Sequence, residues 1–168
     1  MTDGAAFSRW QRANQEWLAA ALAEIRRALA AHLEDAAGEV PAMPEPSWEG
    51  SLPAPPALEM LCRTFDLSDG DRLLLLLCAG AELDAAIPGL CARAQGDPQR
   101  TSPTLSLALA LFPQIPWTSL SPAAPLRYWR LIEVGPGTSL VLAPLRLEEL
   151  VLHYLAGQGN HDERLAGL

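Results

Sequence analysis

The apolar run LLLLLCAGA, from Leu73 to Ala81, limits most strongly how this chain folds. It is far shorter than the roughly 20 residues that a membrane-spanning helix needs, and Arg72 and Glu82 flank it. A helix that is apolar around most of its circumference must be surrounded by other elements. The N-terminus, MTDGAAFSRW, lacks the features of a signal peptide. The sequence therefore predicts a buried central helix in a cytoplasmic protein that does not contact a membrane.

Composition allows a sizeable core and disfavours polyanionic partners. Of 168 residues, 49% are hydrophobic, which suits one compact domain or a small domain with an appendage. All 12 basic residues are arginine, and the net charge of -8 argues against a broad phosphate-binding face. Cys62, Cys78 and Cys91 are widely spaced in apolar surroundings. They predict buried free thiols rather than a disulfide framework or a metal site.

Residues 1–37 are predicted to form one long amphipathic helix. Apolar side chains recur at three- and four-residue steps and form one broad face: Trp10, Trp17, Leu18, Leu22, Ile25 and Leu29. Asn14 and His32 are polar positions within that face, so we expect both near the surface that covers it. That surface could belong to the same chain or to another chain.

The rest of the chain divides into three parts. Residues 38–57 contain six prolines and predict an extended connector, on which Trp48 docks against a neighbour. Residues 58–157 predict a helical domain, with Ser68 and Asp71 as a capping box at the start of the apolar helix. Residues 158–168 are polar and predict the start of a linker.

The glycine-rich stretch EVGPGT, residues 133–138, could cradle a phosphate or turn the chain. A phosphate-binding loop needs a lysine and a following helix, but the chain has no lysine. Apolar runs at 131–134 and 139–142 flank the stretch and predict strands. Pro136 and Gly137 suit the central positions of a type II turn. We therefore expect a hairpin tip here.

Helices followed by a hairpin and a last helix predict a mainly α fold, a winged-helix-like variant preceded by a long N-terminal helix. DNA-binding versions place a polar helix in the major groove, whereas the equivalent segment, Pro103–Phe112, carries no charge. Arginines and aromatics at 127–130 could contact nucleic acid, so that function remains the alternative. The acidic charge favours a protein-interaction domain.

The candidate interaction surface has eight residues: Trp10, Trp17, Leu22, Ile25, Trp48, Arg127, Tyr128 and Arg130. Candidates for catalysis are weak. His153 has no serine or cysteine partner at a recognisable spacing, and Glu148 and Glu149 suit the dipole of the last helix. We expect no catalytic, cofactor-binding or metal-binding residue in this chain.

Several long motifs, in register from Asn14 to Gly157, resemble a known family. They include NQEWLAAALAEIRRAL, LCRTFDLSDGDRLLLLLCAGAELD, SPAAPLRYWRLIEVGPG and APLRLEELVLHYLAG. The chain resembles the N-terminal region of the AAA+ ATPases encoded with bacterial extracellular contractile injection systems, which are phage-tail-like particles. The Walker motifs of that family have no counterpart here.

The resemblance implies a parent protein in which a winged-helix-like region precedes a ring-forming AAA+ module that binds ATP and Mg²⁺. It also implies protein partners: injection-system components, cargo or neighbouring protomers. The chain itself would be the non-catalytic N-terminal segment.

We predict that this chain neither binds nor hydrolyses ATP, because it has no lysine and no phosphate-binding loop to hold the terminal phosphates. Calorimetric titration with ATP and Mg²⁺ should give no heat beyond dilution. Micromolar binding at one site would contradict this prediction.

Overall fold

The computed structural model of the chain describes residues 2–34, 48–50, 52–137 and 139–158. Residues 35–37 of the predicted N-terminal helix, residues 38–47 and 51 of the predicted connector and residues 159–168 of the predicted linker therefore lie outside the described residues. In the described ranges, the elements in chain order are α1 Thr2–Leu33, α2 Ala57–Thr64, α3 Asp69–Leu83, α4 Ile87–Ala94, α5 Leu105–Leu111, a 3-10 helix Trp117–Leu120, α6 Pro125–Tyr128, β1 Ile132–Val134, β2 Leu145–Leu147 and α7 Glu149–Leu155. The fold is mainly helical, as predicted.

Helix α3 is the centre of the fold, and the apolar run lies within it. Every residue from Leu73 to Gly80 is buried. Ser68 and Asp71 form the expected capping box at its start. No single helix in the described ranges is long and apolar enough to span a membrane, and α3 and α4, the one pair that passes this test together, meet at a bend of 116°.

Helix α1 packs against α3 and α4 of the same chain. Its apolar face contributes buried side chains to the common core: Trp17, Leu18, Ala21, Leu22, Ile25, Ala28 and Leu29. Gly80 of α3 permits close approach, since a Cβ there would lie 2.6 Å from Cδ1 of Ile87 on α4 and 3.5 Å from Cδ2 of Leu22 on α1. The covering surface for α1 is thus the chain's own helical core.

Side-chain amides of α1 join the start of α2 to the end of α7. Asn14, which is 1% exposed, accepts a hydrogen bond from the Ala57 N–H at 2.8 Å and donates to the Leu155 carbonyl at 3.0 Å. Gln11 donates to the Gly157 carbonyl, and Gln15 to that of Ala156. The last carbonyls of a helix have no partner within it, so these amides satisfy the end of α7. Asn14 therefore lies at an interface, as expected, whereas His32 is exposed.

The hairpin differs from the prediction in its second strand. β1 pairs antiparallel with β2, with Ile132 opposite Leu147 and Val134 opposite Leu145. Residues 139–142, predicted as the strand, instead lie in the long connection between β1 and β2. A type II turn at Pro136-Gly137 needs a positive φ at Gly137. Gly137 does not have one, so the prediction of a type II turn is wrong. Residues 139–142 (SLVL) form the longer apolar run, whereas residues 145–147 (LRL) alternate apolar and charged residues over only three positions, and these three pair with β1.

We predict that Asn14→Ala lowers the free energy of unfolding by about 2–4 kcal/mol, because the buried Ala57 N–H and Leu155 carbonyl would lose their partner. Gln15→Ala is the matched control. Its hydrogen bond is exposed, so a loss of about 0.5 kcal/mol or less is expected. Urea unfolding followed by circular dichroism measures both. Equal losses in the two variants would show that the Asn14 bridge does not stabilise the fold.

Candidate functional site

A groove of about 1000 Å³ lies among α2, α6, β1 and α7. Such a volume is at the upper end of the roughly 300–1,000 Å³ typical of ligand clefts, so a short peptide segment could enter it. Its lining combines apolar, aromatic and charged side chains: Leu61, Thr64, Phe65, Arg127, Trp129, Arg130, Leu131, Ile132, Glu133, Val134, Glu148, Leu150, Val151 and Tyr154. We call this the α2–α7 groove.

Aromatic side chains line one part of the α2–α7 groove and continue onto the neighbouring surface. The rings of Phe65 and Trp129 lie 5.4 Å apart, and Tyr128 packs edge-on against Trp129 at 5.0 Å. Tyr128 is 65% exposed, Trp129 46% and Leu150 69%. Large apolar side chains that remain accessible around a concave surface are typical of a site that binds another molecule.

Two helices end at the groove with the same backbone turn. Helices commonly end with a residue of left-handed conformation, usually glycine, and a hydrogen bond that spans six residues. In α2 that residue is Asp66 and in α6 it is Arg130, with φ of 52° and 54°. The closing bonds run from Leu67 N–H to the Cys62 carbonyl and from Leu131 N–H to the Leu126 carbonyl. Each of these residues directly follows one ring of the Phe65–Trp129 pair.

The non-glycine residues in these turns are unusual within this chain. Helices α4 and α7 end in the same way with Gly96 and Gly157, whose φ values are 66° and 74°. A left-handed conformation costs a residue with a side chain roughly 1–2 kcal/mol. Strained backbone is often retained at functional sites, and here it occurs beside the groove.

The charged groups of the groove differ in how far they are engaged. Arg127 donates to the Leu120 carbonyl at 3.2 Å, which ties α6 to the 3-10 helix. Glu148 accepts from the N–H groups of Leu150 and Val151 as the N-cap of α7. Arg130 is exposed, and no hydrogen bond or ion pair to another described residue engages its guanidinium. Arg130 is therefore available to a carboxylate from outside the chain.

The structure divides the predicted interaction surface into three groups. Arg127 and Arg130 line the groove, and Tyr128 is beside it. Trp10 is partly buried and donates to the Pro55 carbonyl at 3.1 Å, while Trp48 lies under the Arg63 guanidinium. The remaining three, Trp17, Leu22 and Ile25, are buried in the core. These three stabilise the fold and are not accessible on its surface.

Most of the groove was missed in the sequence. Phe65, Trp129 and Tyr154 lie on three different elements, and their convergence depends on how α2, α6 and α7 pack. The one available signal was the density of aromatics and arginines at 127–130, of which Arg127, Trp129 and Arg130 line the groove. Burial raises the pKa of the Tyr154 phenol, so this hydroxyl stays protonated and can donate a hydrogen bond in the groove.

The apolar face of helix α5, which lies at the position of a recognition helix, is buried in the core. Leu105, Leu107, Ala108 and Leu111 are all at most 5% exposed. Thr104 caps its start by accepting from the Leu107 N–H. Its exposed residues, Ser106 and Ala110, are uncharged, so α5 lacks the arginine, lysine, asparagine and glutamine side chains that most often read base edges.

The cysteines are free and buried, as predicted. Burial raises the pKa of Cys62 and Cys91 to about 11 and also raises that of Cys78. Their thiols therefore stay protonated at neutral pH and are poor nucleophiles and poor metal ligands. In the described part of the chain, no group of histidine, cysteine, aspartate and glutamate side chains is suited to hold a metal ion.

Comparison with known families assigns the chain. A family model described as winged helix domain, variant, matches residues 2–168. The chain therefore belongs to the variant winged helix domain family. No curated protein and no solved structure gives a significant match to it.

We predict that Arg130→Gly raises the free energy of unfolding by about 0.5–1 kcal/mol. Glycine removes the left-handed penalty of roughly 1–2 kcal/mol, and its greater flexibility in the unfolded chain offsets part of that gain. Arg130→Ala is the control, because it removes the charge but keeps the backbone penalty, and it should give no gain. Urea unfolding of both variants separates the two effects. If alanine stabilises as much as glycine, charge and not backbone conformation is responsible.

Proposed function

We propose that this winged helix domain is a non-catalytic protein-interaction domain that docks a AAA+ ATPase onto its protein partner through the α2–α7 groove. The parent would be the ATPase of a cytoplasmic bacterial contractile injection system. Its partner would be a particle component, a cargo protein or a neighbouring protomer. ATP and Mg²⁺ would bind to a separate AAA+ module, which would form the ring.

The observation that carries this proposal is the exposed aromatic rim of the groove. Aromatic residues and arginine are enriched at protein interfaces and account for much of the binding energy there. Tyr128, Trp129 and Arg130 are consecutive, exposed and next to a concave apolar surface. The charged residues that line the groove are balanced, with two arginines and two glutamates, while the net charge of -8 of the whole chain disfavours polyanions.

The assignment to a AAA+ parent is supported by the sequence motifs that resemble the N-terminal region of that ATPase family. They extend over α1, α3, the α6–β1 segment and α7, which are the elements that form the core and the groove. The resemblance therefore concerns the folded domain as a whole.

Nucleic-acid binding is the alternative function. The arginines of the groove, Arg127 and Arg130, are the features that favour it. The net charge of the chain and the absence of charged residues from α5 argue against it. Because the neutralisation of phosphate charge dominates nucleic-acid binding, two arginines on an acidic domain are weak support for that function.

We predict that the chain binds a component of the injection particle and that Tyr128→Ala combined with Arg130→Glu weakens this binding at least tenfold. Losing one aromatic anchor and reversing one charge removes roughly 2 kcal/mol or more. Co-sedimentation with particles purified from the same bacterium measures it. Arg93→Glu, the same charge reversal at an exposed position of α4 away from the groove, is the control and should bind normally.

Two results would contradict the proposal. In the first, particles bind the groove variant as tightly as the unaltered chain. In the second, the chain binds duplex DNA at physiological salt in fluorescence anisotropy, with a salt dependence that Arg127→Glu and Arg130→Glu abolish. The second result would establish the nucleic-acid alternative.

A further inference from the structure

The outer edge of β1 forms a wall of the α2–α7 groove, and its backbone polar groups are unpaired. The Glu148 N–H donates to the Leu131 carbonyl, and the Gly135 N–H to that of Pro144. In an antiparallel pair, hydrogen-bonded residues alternate with non-bonded ones. The N–H and C=O groups of Ile132 and Val134 therefore point away from β2. No described residue donates to or accepts from them.

The outer edge of β2 is different. There the Leu145 N–H donates to the Pro103 carbonyl at 2.8 Å, so the segment before α5 covers that edge at Leu145. Proteins usually cover an exposed strand edge because it can pair with another chain. The β1 edge has no such cover among the described residues: Val134 is half-buried and lines the groove, while Ile132 is buried.

We infer that β1 accepts an extended segment of a protein partner as a third strand of the sheet. Strand addition obtains affinity from backbone hydrogen bonds and specificity from pockets for alternate side chains. The inference rests on the proposed protein-docking function, and it specifies how the groove would bind that partner. The outward N–H and C=O groups of the half-buried Val134 would donate to and accept from the added strand.

The groove also defines the chemistry of the segment. Side chains of a strand alternate between two faces, and Ile132 is buried while Glu133 is exposed. Partner residues on the face of Ile132 should be apolar, because Leu61, Phe65 and Val151 line the same groove. The guanidinium of Arg130, which no described residue engages, favours an acidic partner residue near Leu131. Glu133 has no ion-pair partner among the described residues, so an acidic partner residue beside it is disfavoured.

The experiment begins with a displayed library of random eight-residue peptides, selected on the whole chain. We expect the selected peptides to alternate apolar and polar residues and to contain an acidic residue at one end. Synthetic versions of these peptides with N-methyl groups at alternate positions then test whether the backbone N–H groups of the peptide donate to β1. Only one of the two alternating sets donates to β1, so methylating that set should weaken binding at least tenfold and methylating the other should change it less than threefold.

A matched pair of variants tests the same contact from the protein. Val134→Pro removes the outward N–H without removing a bond to β2, and an edge strand tolerates proline at such a position. It should weaken peptide binding about tenfold. Val134→Ala keeps the N–H and loses more of the side chain, so it should bind within threefold of the unaltered chain. Circular dichroism checks that both variants are folded, and the N-methyl peptides need no change in the protein.

The inference is overturned if no peptide is selected, if both methylated sets bind equally, or if selected peptides bind as helices. Its failure is separable from failure of the proposed function. If Tyr128→Ala with Arg130→Glu releases the particle but Val134→Pro does not, the groove docks a protein and strand addition is wrong. If neither change affects particle binding, the docking function itself is wrong.

Discussion

The arrangement of α1, α2 and α7 depends on the two hydrogen bonds that the buried side-chain amide of Asn14 makes. This amide lies in an apolar helix face, where a polar group without partners would be costly. Both of its hydrogen bonds go to backbone groups far away in sequence, one at the start of α2 and one at the end of α7. Because these groups are buried as well, each of the three segments requires the other two.

The groove follows from this arrangement. Helices α2 and α7 contact each other, and they form one side of the α2–α7 groove, while α6 and β1 form the other. Gly157 has two reasons to be glycine: its φ is 74°, and a Cβ would lie 3.1 Å from Nδ2 of Asn14. The bridge that closes the core therefore also positions the α7 residues Leu150, Val151 and Tyr154 beside the aromatic pair of α2 and α6.

The parts of the site that were predicted are those with a local cause. Arginines and aromatics at 127–130 are adjacent in sequence, so they are neighbours in any fold. The partners that make them a groove, Phe65 and Tyr154, are separated from them along the chain. Likewise, Gly96 and Gly157 are expected helix ends because glycine adopts positive φ without strain. Asp66 and Arg130 form the same turn without that signal, because neither is glycine and both are exposed.

Local pattern alone determined that this chain is a mainly helical domain with a small hairpin: the run from Leu73 to Ala81 had to be buried, and the spacing of α1 required an apolar face. It also determined where α3 begins, since the Ser68–Asp71 capping box involves residues three positions apart. Only the tertiary structure decided that Trp17, Leu22 and Ile25 are core, that β1 pairs with 145–147, and that its outer edge opens into a groove. Those outcomes depend on contacts between residues distant in sequence, and such contacts leave no periodic signal along the chain.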